Sequence, residues 1–144
     1  MENTTFCNAL AALALVAALG ATPASAETVK LKADLAASSE VPPNQSAGKG
    51  TLEATFDTAS KQLTYTVNYS GLTGPATAAH FHGPAAAGAN AGVAVPVQGA
   101  LTSPIKGTAT LTDAQAADLT SDKYYFNIHT DANKPGEIRG QVVK

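Results

Sequence analysis

The feature of this 144-residue chain that most constrains its fold is a series of short runs in which apolar and polar residues alternate. In residues 28–34, Val29, Leu31 and Ala33 alternate with Lys and Asp, and the same pattern recurs in residues 50–57. A period of two places alternate side chains on opposite faces of an extended chain. The pattern therefore predicts β-strands with one buried face each.

Turn residues separate these runs along most of the chain, as in β-sandwiches and barrels. Strands are expected at residues 28–34, 50–57, 62–69, 76–82, 93–97, 105–111, 124–129 and 137–143. Thr112 and Gln115 have the spacing of a capping box and predict a short helix that runs through Leu119. Seven or eight strands and one short helix predict an all-β fold, a sandwich or a barrel.

The first 26 residues have the composition of an export signal. Residues 8–21 are almost entirely Ala, Leu and Val, and Ala24 and Ala26 supply the small side chains that a signal peptidase requires. The apolar run is shorter than the ~20 residues of a spanning helix. We therefore expect a signal peptide at residues 1–26, a single domain at residues 27–144, and a periplasmic or secreted protein that is not held in a membrane.

Composition excludes several classes of site from the expected domain. The chain has one Cys and one Met, Cys7 and Met1, and both lie in the expected signal. A disulfide, a blue-copper centre, a cysteine zinc site and a nucleophilic cysteine are therefore excluded. The formal net charge is −2 and no basic cluster is present, which argues against binding to nucleic acid.

The three histidines lie in two of the predicted strands. His80 and His82 point to one face of their strand, about 6.6 Å apart, and His129 lies opposite Phe126 and Ile128 on its own strand. If the two strands are neighbours, three neutral imidazoles meet and could bind Zn²⁺ or Cu²⁺. The alternative is that they are ordinary surface histidines that bond to nearby backbone.

Four polar residues near these histidines are candidates for supporting roles. Asn127 shares the face of His129, and Asp131 or Glu137 could supply an oxygen ligand or an acceptor that orients an imidazole. Glu137 and Arg139 follow a Pro-Gly turn, where charged side chains commonly tie loops together. The sequence contains no nucleophile elbow, phosphate loop or His-Glu-x-x-His motif, so no catalytic residue is assigned.

Three motifs occur in order: Ala79-His80-Phe81-His82-Gly83-Pro84, Tyr125-Phe126-Asn127-Ile128-His129-Thr130 and Pro135-Gly136-Glu137-Ile138-Arg139-Gly140-Gln141. Together with the segment from Leu35 to Pro43 and the hairpin that begins at Gly50, they resemble the CHRD domain. This module was first described in chordin and is found alone in many exported bacterial proteins. The resemblance implies an immunoglobulin-like or Greek-key β-sandwich whose molecular function is mostly unassigned.

The histidine motifs are also similar to those of copper,zinc superoxide dismutases. That two-metal site needs a bridging imidazolate and more histidines than the three present here. Our leading hypothesis is a non-catalytic exported domain that binds copper or zinc through His80, His82 and His129. The alternative is an extracellular module whose loop at residues 83–92 contacts a protein or matrix partner without a metal. A dismutase-like metalloenzyme is the weakest hypothesis.

Overall fold

The computed structural model describes residues 25–144, and within them the fold is all-β with one α-helix, α1 (Asp113–Thr120). A short 3₁₀ turn (Ala37–Ser39) follows the first strand. The predicted export signal at residues 1–26 lies almost entirely outside the described residues. The strands are β1 (Thr28–Ala36), β2 (Lys49–Asp57), β3 (Gln62–Ser70), β4 (Ala76–His82), β5 (Val93–Pro96), β6 (Ile105–Thr110), β7 (Tyr124–Thr130) and β8 (Ile138–Val142).

All eight strands belong to one antiparallel sheet in the order β5-β4-β7-β8-β1-β2-β3-β6. Strand β8 returns to lie beside β1, as the last strand of a Greek key lies beside the first. The junction between them is narrow, with a strand pair at Ala36 and Arg139 and an isolated bridge between Lys32 and Val143. The sheet therefore has two halves of four strands each, β5-β4-β7-β8 and β1-β2-β3-β6.

The two halves fold over one another and enclose the hydrophobic core. The rings of Tyr65 on β3 and Phe81 on β4 pack edge to face, with their centroids 5.1 Å apart, although these strands are far apart in the sheet order. The core between the halves is contiguous. The predicted all-β class is confirmed, and the two layers of the expected sandwich are parts of a single sheet that curls into a nearly barrel-shaped structure.

Alternation explains how β2 and β3 contribute to this core. Leu52 and Phe56 of β2 pair with Val67 and Leu63 of β3, and all four are buried, whereas intervening residues such as Glu53 are exposed. The predicted capping box is also present: the Thr112 side chain accepts from the Gln115 N–H, and the Gln115 side chain accepts from the Thr112 N–H. This reciprocal pair satisfies two amides that a helix N-terminus would leave unpaired.

Strand β7 departs from simple alternation, because both of its faces are buried. Phe126 and Ile128 face the main core, as predicted, whereas Tyr125 and Asn127 lie on the face that carries the histidines. Two loops, residues 37–48 and 83–92, contribute to this second interior, and the Asn90 amide joins them by donating to the Val41 carbonyl at 3.0 Å. The histidine face is therefore partly enclosed rather than open sheet surface.

Candidate metal centre

The pairing of β4 with β7 brings the histidines together. In this antiparallel pair His80 lies opposite Asn127, and Ala78 lies opposite His129, so His129 is a diagonal neighbour of His80. Nδ1 of His80 is 3.1 Å from Nε2 of His129. One ligand atom from each of His80, His82 and His129 lies within 4.8 Å of the others. The three imidazoles therefore converge, as the strand faces predict for neighbouring strands.

The spacing of His80 and His129 is close to that of two ligands on one ion. Two nitrogens bound at ~2.0–2.1 Å to a tetrahedral ion lie about 3.3 Å apart. The observed 3.1 Å between Nδ1 of His80 and Nε2 of His129 is near this value. His82 lies farther out, within the 4.8 Å group, and would need a small ring movement to join the same ion. The arrangement thus fits one ion shared by the three rings.

Backbone carbonyls hold two of the three rings in the tautomer that metal binding requires. Nδ1 of His129 is 2.8 Å from the Lys134 carbonyl oxygen, and Nδ1 of His82 is 3.0 Å from the Ala91 carbonyl oxygen. A carbonyl oxygen can only accept, so each Nδ1 carries the hydrogen and donates it. Each Nε2 therefore carries a lone pair, as is usual for histidine metal ligands. The lone pair of His82 has no hydrogen-bond partner, whereas that of His129 faces Nδ1 of His80 at 3.1 Å, where it can accept a hydrogen bond.

Burial favours the neutral form of His80 and His82. It lowers the pKa of both His80 and His82 below the ordinary value of 6.5, and the nearby His129 ring lowers the pKa of each further. The hydrogen bond to the Ala91 carbonyl partly opposes this shift in His82. Metal ions bind neutral imidazole, so the lowered pKa values favour binding over protonation.

An aromatic and cationic stack supports the His82 ring from the side. The rings of His82 and Tyr125 are parallel within 1°, with centroids 4.8 Å apart. The guanidinium carbon of Arg139 lies 3.4 Å from the centre of the Tyr125 ring, a cation–π contact. His82 is 9% exposed and Arg139 only 2% exposed, so the stack is part of the protein interior.

Arg139 also fixes the loop at residues 83–92. Its guanidinium donates to Oδ1 of Asn90 at 2.8 Å and to the carbonyl oxygen of Ala89 at 2.5 Å. The next residue, Ala91, supplies the carbonyl that orients His82. Arg139 was predicted to have a supporting role, and it lies at the centre of the contacts that hold this loop against the site.

Glu40 is part of this interior, although no sequence pattern singles it out. It is 6% exposed and lies near Asn127 and Arg139. Burial raises the pKa of Glu40 to about 7, while the charge of Arg139 and a hydrogen bond from Asn127 limit the rise. Glu40 precedes Val41-Pro42-Pro43, within the segment that resembles the CHRD domain, but its burial depends on contacts with β7 and β8.

Glu137 lies on the opposite side of this region and ties loops together. Its carboxylate is fully buried and accepts four hydrogen bonds: from the Ser46 hydroxyl at 2.6 Å, the Thr73 N–H and hydroxyl at 2.7 Å each, and the Thr130 hydroxyl at 2.5 Å. Burial alone would raise the pKa of Glu137, but these hydrogen bonds outweigh it and lower the pKa to about 2. This is the loop-tying role considered as the alternative for Glu137.

Neither predicted oxygen donor joins the histidines. Among the His, Cys, Asp and Glu side chains of residues 25–144, the group that could hold an ion consists of the three histidines, without Asp131 or Glu137. Asp131 is exposed, just beyond the end of β7. Asn127, in contrast, lies between the histidines and Glu40, as its contacts with His82 and Glu40 indicate.

Comparison with known families agrees with the motifs. The sequence profile of the CHRD domain matches residues 31–142, a span that includes the histidines, Glu40 and Arg139. The chain belongs to the CHRD domain family. Comparison of this CHRD domain with curated proteins and with solved structures gave no match. No helix within the described part of the domain has the length and apolar character needed to cross a membrane.

Proposed function

We propose that this CHRD domain is an exported, non-catalytic protein that binds one divalent transition-metal ion, copper or zinc, through His80, His82 and His129. The observation that carries the proposal is the 3.1 Å separation between Nδ1 of His80 and Nε2 of His129, within a three-histidine group whose ligand atoms lie inside 4.8 Å. The carbonyls of Ala91 and Lys134 support it, because they leave Nε2 of His82 and of His129 available.

The donor set favours copper or zinc over other ions. Neutral imidazole suits Zn²⁺ and Cu²⁺, whereas Mg²⁺ and Ca²⁺ prefer oxygen ligands, which the group of three histidines does not contain. Because the chain has three histidines in all, a site that uses each as a ligand leaves no imidazole for general acid–base catalysis. A binding role therefore accounts for the residues better than a hydrolytic or dismutase-like role.

Calorimetric titration of Zn²⁺ and Cu²⁺ into the purified protein tests this proposal. We expect binding of one ion per chain to the wild-type protein and no binding at that site in the variant His80→Ala/His82→Ala/His129→Ala. Asp131→Ala is the matched control, because Asp131 is exposed near His129 but outside the ligand group, and its affinity should equal that of the wild type. An unchanged affinity in the triple variant would refute the proposal.

Export is proposed from the composition of residues 1–26 and has its own test. Cleavage after Ala26 would leave Glu27 as the first residue of the mature protein. Expression in a bacterial host followed by N-terminal sequencing of the periplasmic and culture fractions should identify Glu27 as that residue. Retention of the full-length chain in the cytoplasm would contradict export while leaving the metal proposal intact.

One observation favours the alternative, an interaction module. Val93 lies at the start of edge strand β5 and is 51% exposed. Among residues 25–144 it is the one large apolar residue in the exposed class. It directly follows the loop at residues 83–92. Because Arg139 and His82 contact that loop, its deletion would disturb the metal site as well, and Val93→Ser is the cleaner variant. If Val93→Ser loses a partner that cross-links to the wild-type protein, while its zinc affinity is unchanged, the interaction-module hypothesis is supported. If Val93→Ser and the wild type cross-link equally, that hypothesis is contradicted.

A further inference from the structure

Three buried polar atoms at and beside the candidate metal centre have no hydrogen-bond partner among the described residues: Nε2 of His82, Oδ1 of Asn127 and Oε1 of Glu40. His82 is 9% exposed and Asn127 is 2% exposed. The Nδ1–H of His82 donates to the Ala91 carbonyl, so Nε2 of the neutral ring presents a lone pair rather than a hydrogen. The Asn127 side chain lies close enough to the His82 ring to oppose the effect of burial on the pKa of His82.

The nitrogen of the Asn127 amide faces Glu40. Nδ2 of Asn127 and Oε1 of Glu40 both lie within 2.8 Å of the point that a Cβ on Gly136 would occupy, and the nearby amide lowers the pKa of Glu40 against the effect of burial. Gly136 allows this approach, because a Cβ at Gly136 would collide with both Oε1 of Glu40 and Nδ2 of Asn127. With Nδ2 directed at Glu40, the amide oxygen is left to face His82.

Two acceptors that face each other in a buried space are unfavourable. Each loses the hydrogen bonds that water would provide, and their lone pairs repel. A cation between them removes both penalties. Asn127 also lies directly opposite His80 in the β4–β7 register, and His129 is two residues further along the same face of β7. Asn127 therefore lies on the same face of the β4–β7 pair as all three histidines.

We propose that Oδ1 of Asn127 is the fourth ligand of the metal ion, which completes a set of three imidazole nitrogens and one amide oxygen, and that Glu40 is the positioning residue that orients the amide. This inference rests on the function proposed above. A site with four protein ligands is closed, as in structural zinc sites, whereas catalytic sites keep one position open. The inference thus gives a physical reason for a binding role without catalysis.

The first test compares zinc affinity in Asn127→Leu and Asn127→Asp with that of the wild type. Leu has a similar size but no ligand atom, and we expect it to weaken zinc binding by about 10–100-fold, the range typical for the loss of a group that supports a metal site. Asp supplies an oxygen at the same position but cannot donate to Glu40, so we expect it to bind zinc more tightly than Asn127→Leu. Thermal melting of the metal-free proteins checks that both variants fold.

The second test is a crystal structure of the zinc-loaded wild-type protein, which decides the matter even if Asn127→Leu does not fold. We expect Oδ1 of Asn127 within about 2.0–2.2 Å of the ion. A water molecule between Nε2 of His82 and Oδ1 of Asn127, or an amide turned so that Nδ2 faces His82, would overturn the inference. Wild-type zinc affinity in Asn127→Leu would also overturn it but leave the three-histidine proposal standing. Failure of the wild-type protein to bind would refute the three-histidine proposal itself.

The test of Glu40 must measure a property of the bound metal that would not change if Glu40 had a purely structural role. The EPR spectrum of the Cu²⁺-loaded protein reports the geometry of the ligand set. In Glu40→Gln, the new amide can donate to Oδ1 of Asn127 and turn it away from the ion. We expect an altered copper hyperfine splitting in a protein that still folds, whereas an unchanged spectrum would remove Glu40 from the proposal.

Discussion

Nδ1 of His80 lies 3.1 Å from Nε2 of His129, although the two residues are 49 positions apart in the chain. The contact exists because β4 and β7 are antiparallel neighbours and the two residues are diagonal on one face of this pair. The three imidazoles are carried by two strands that backbone hydrogen bonds hold together. The geometry is therefore largely set before any ion binds, which reduces the entropy lost on binding.

The pH dependence of metal binding follows from the histidine pKa values. Burial lowers the pKa of His80 and His82 below 6.5, which favours the neutral form of both rings in the folded protein. We expect zinc affinity to fall on acidification, as protons displace the ion, and the lowered pKa values to displace this fall to lower pH. Calorimetric titrations from pH 7.5 to pH 5 would measure this. A midpoint at or above pH 6.5 would contradict the prediction.

The sequence predicted the strands well, because a period of two is a local property. The strand expected at residues 76–82 has those bounds in the structure, and the others agree to within a few residues. The same local geometry predicted that His80 and His82 share a face. It could not show that β4 and β7 are neighbours, because that pairing depends on connections that cross between the two halves of the sheet.

The supporting residues were harder to predict, because their roles depend on loops packed against a sheet face. Glu40 becomes buried only when it meets Asn127 and Arg139, and its local sequence resembles an exposed turn. For Glu137 the sequence left two roles open. Its four hydrogen bonds with Ser46, Thr73 and Thr130 favour the loop-tying role over the role of metal ligand. Ser46 and Thr73 are distant in the chain, and no local pattern encodes such contacts.

Glu40 should destabilise the folded protein at alkaline pH. Its folded-state pKa is about 7, raised by burial from 4.5, so the folded state holds a proton that the unfolded state releases between pH 4.5 and pH 7. Stability from this group is therefore present below pH 4.5 and lost as the pH rises through 7. Glu40→Gln should gain on the order of 1–2 kcal/mol relative to the wild type between pH 5 and pH 8, after allowance for solvent screening.

Urea denaturation at pH 5 and pH 8 would measure this gain. Glu53→Gln is the matched control, because Glu53 is exposed on β2 and its removal should cause little change at either pH. A gain in Glu40→Gln that is the same at both pH values would show that the Glu40 carboxyl does not titrate in this range.

Glu137 should stabilise the fold through its four hydrogen bonds. Glu137→Ala leaves the hydroxyls of Ser46, Thr73 and Thr130 and the N–H of Thr73 without their acceptor, in a region that is largely buried. We expect a loss of about 2–4 kcal/mol in the free energy of unfolding. Denaturation in urea at pH 7 would measure it, with Glu53→Ala as the exposed control. A loss below 0.5 kcal/mol, roughly the range of surface substitutions, would refute this role.

Arg139 should affect metal binding without contacting the ion. It holds Ala89 and Asn90, and the neighbouring Ala91 carbonyl orients His82. Lys keeps the charge but lacks the planar fork that donates to two acceptors and lies over the Tyr125 ring. We expect Arg139→Lys to weaken zinc affinity about 10-fold, as is typical when the group that orients a ligand is disturbed.

The matched control for this prediction is Lys134→Ala. The backbone carbonyl of Lys134 orients His129 in the same way that the Ala91 carbonyl orients His82, but the Lys134 side chain is exposed. The substitution keeps the carbonyl, so zinc affinity should not change. Hydrogen exchange at residues 83–92 should also be faster in Arg139→Lys than in Lys134→Ala, because only the first loosens the loop. Wild-type affinity together with faster exchange in Arg139→Lys would mean that His82 is oriented independently of this loop.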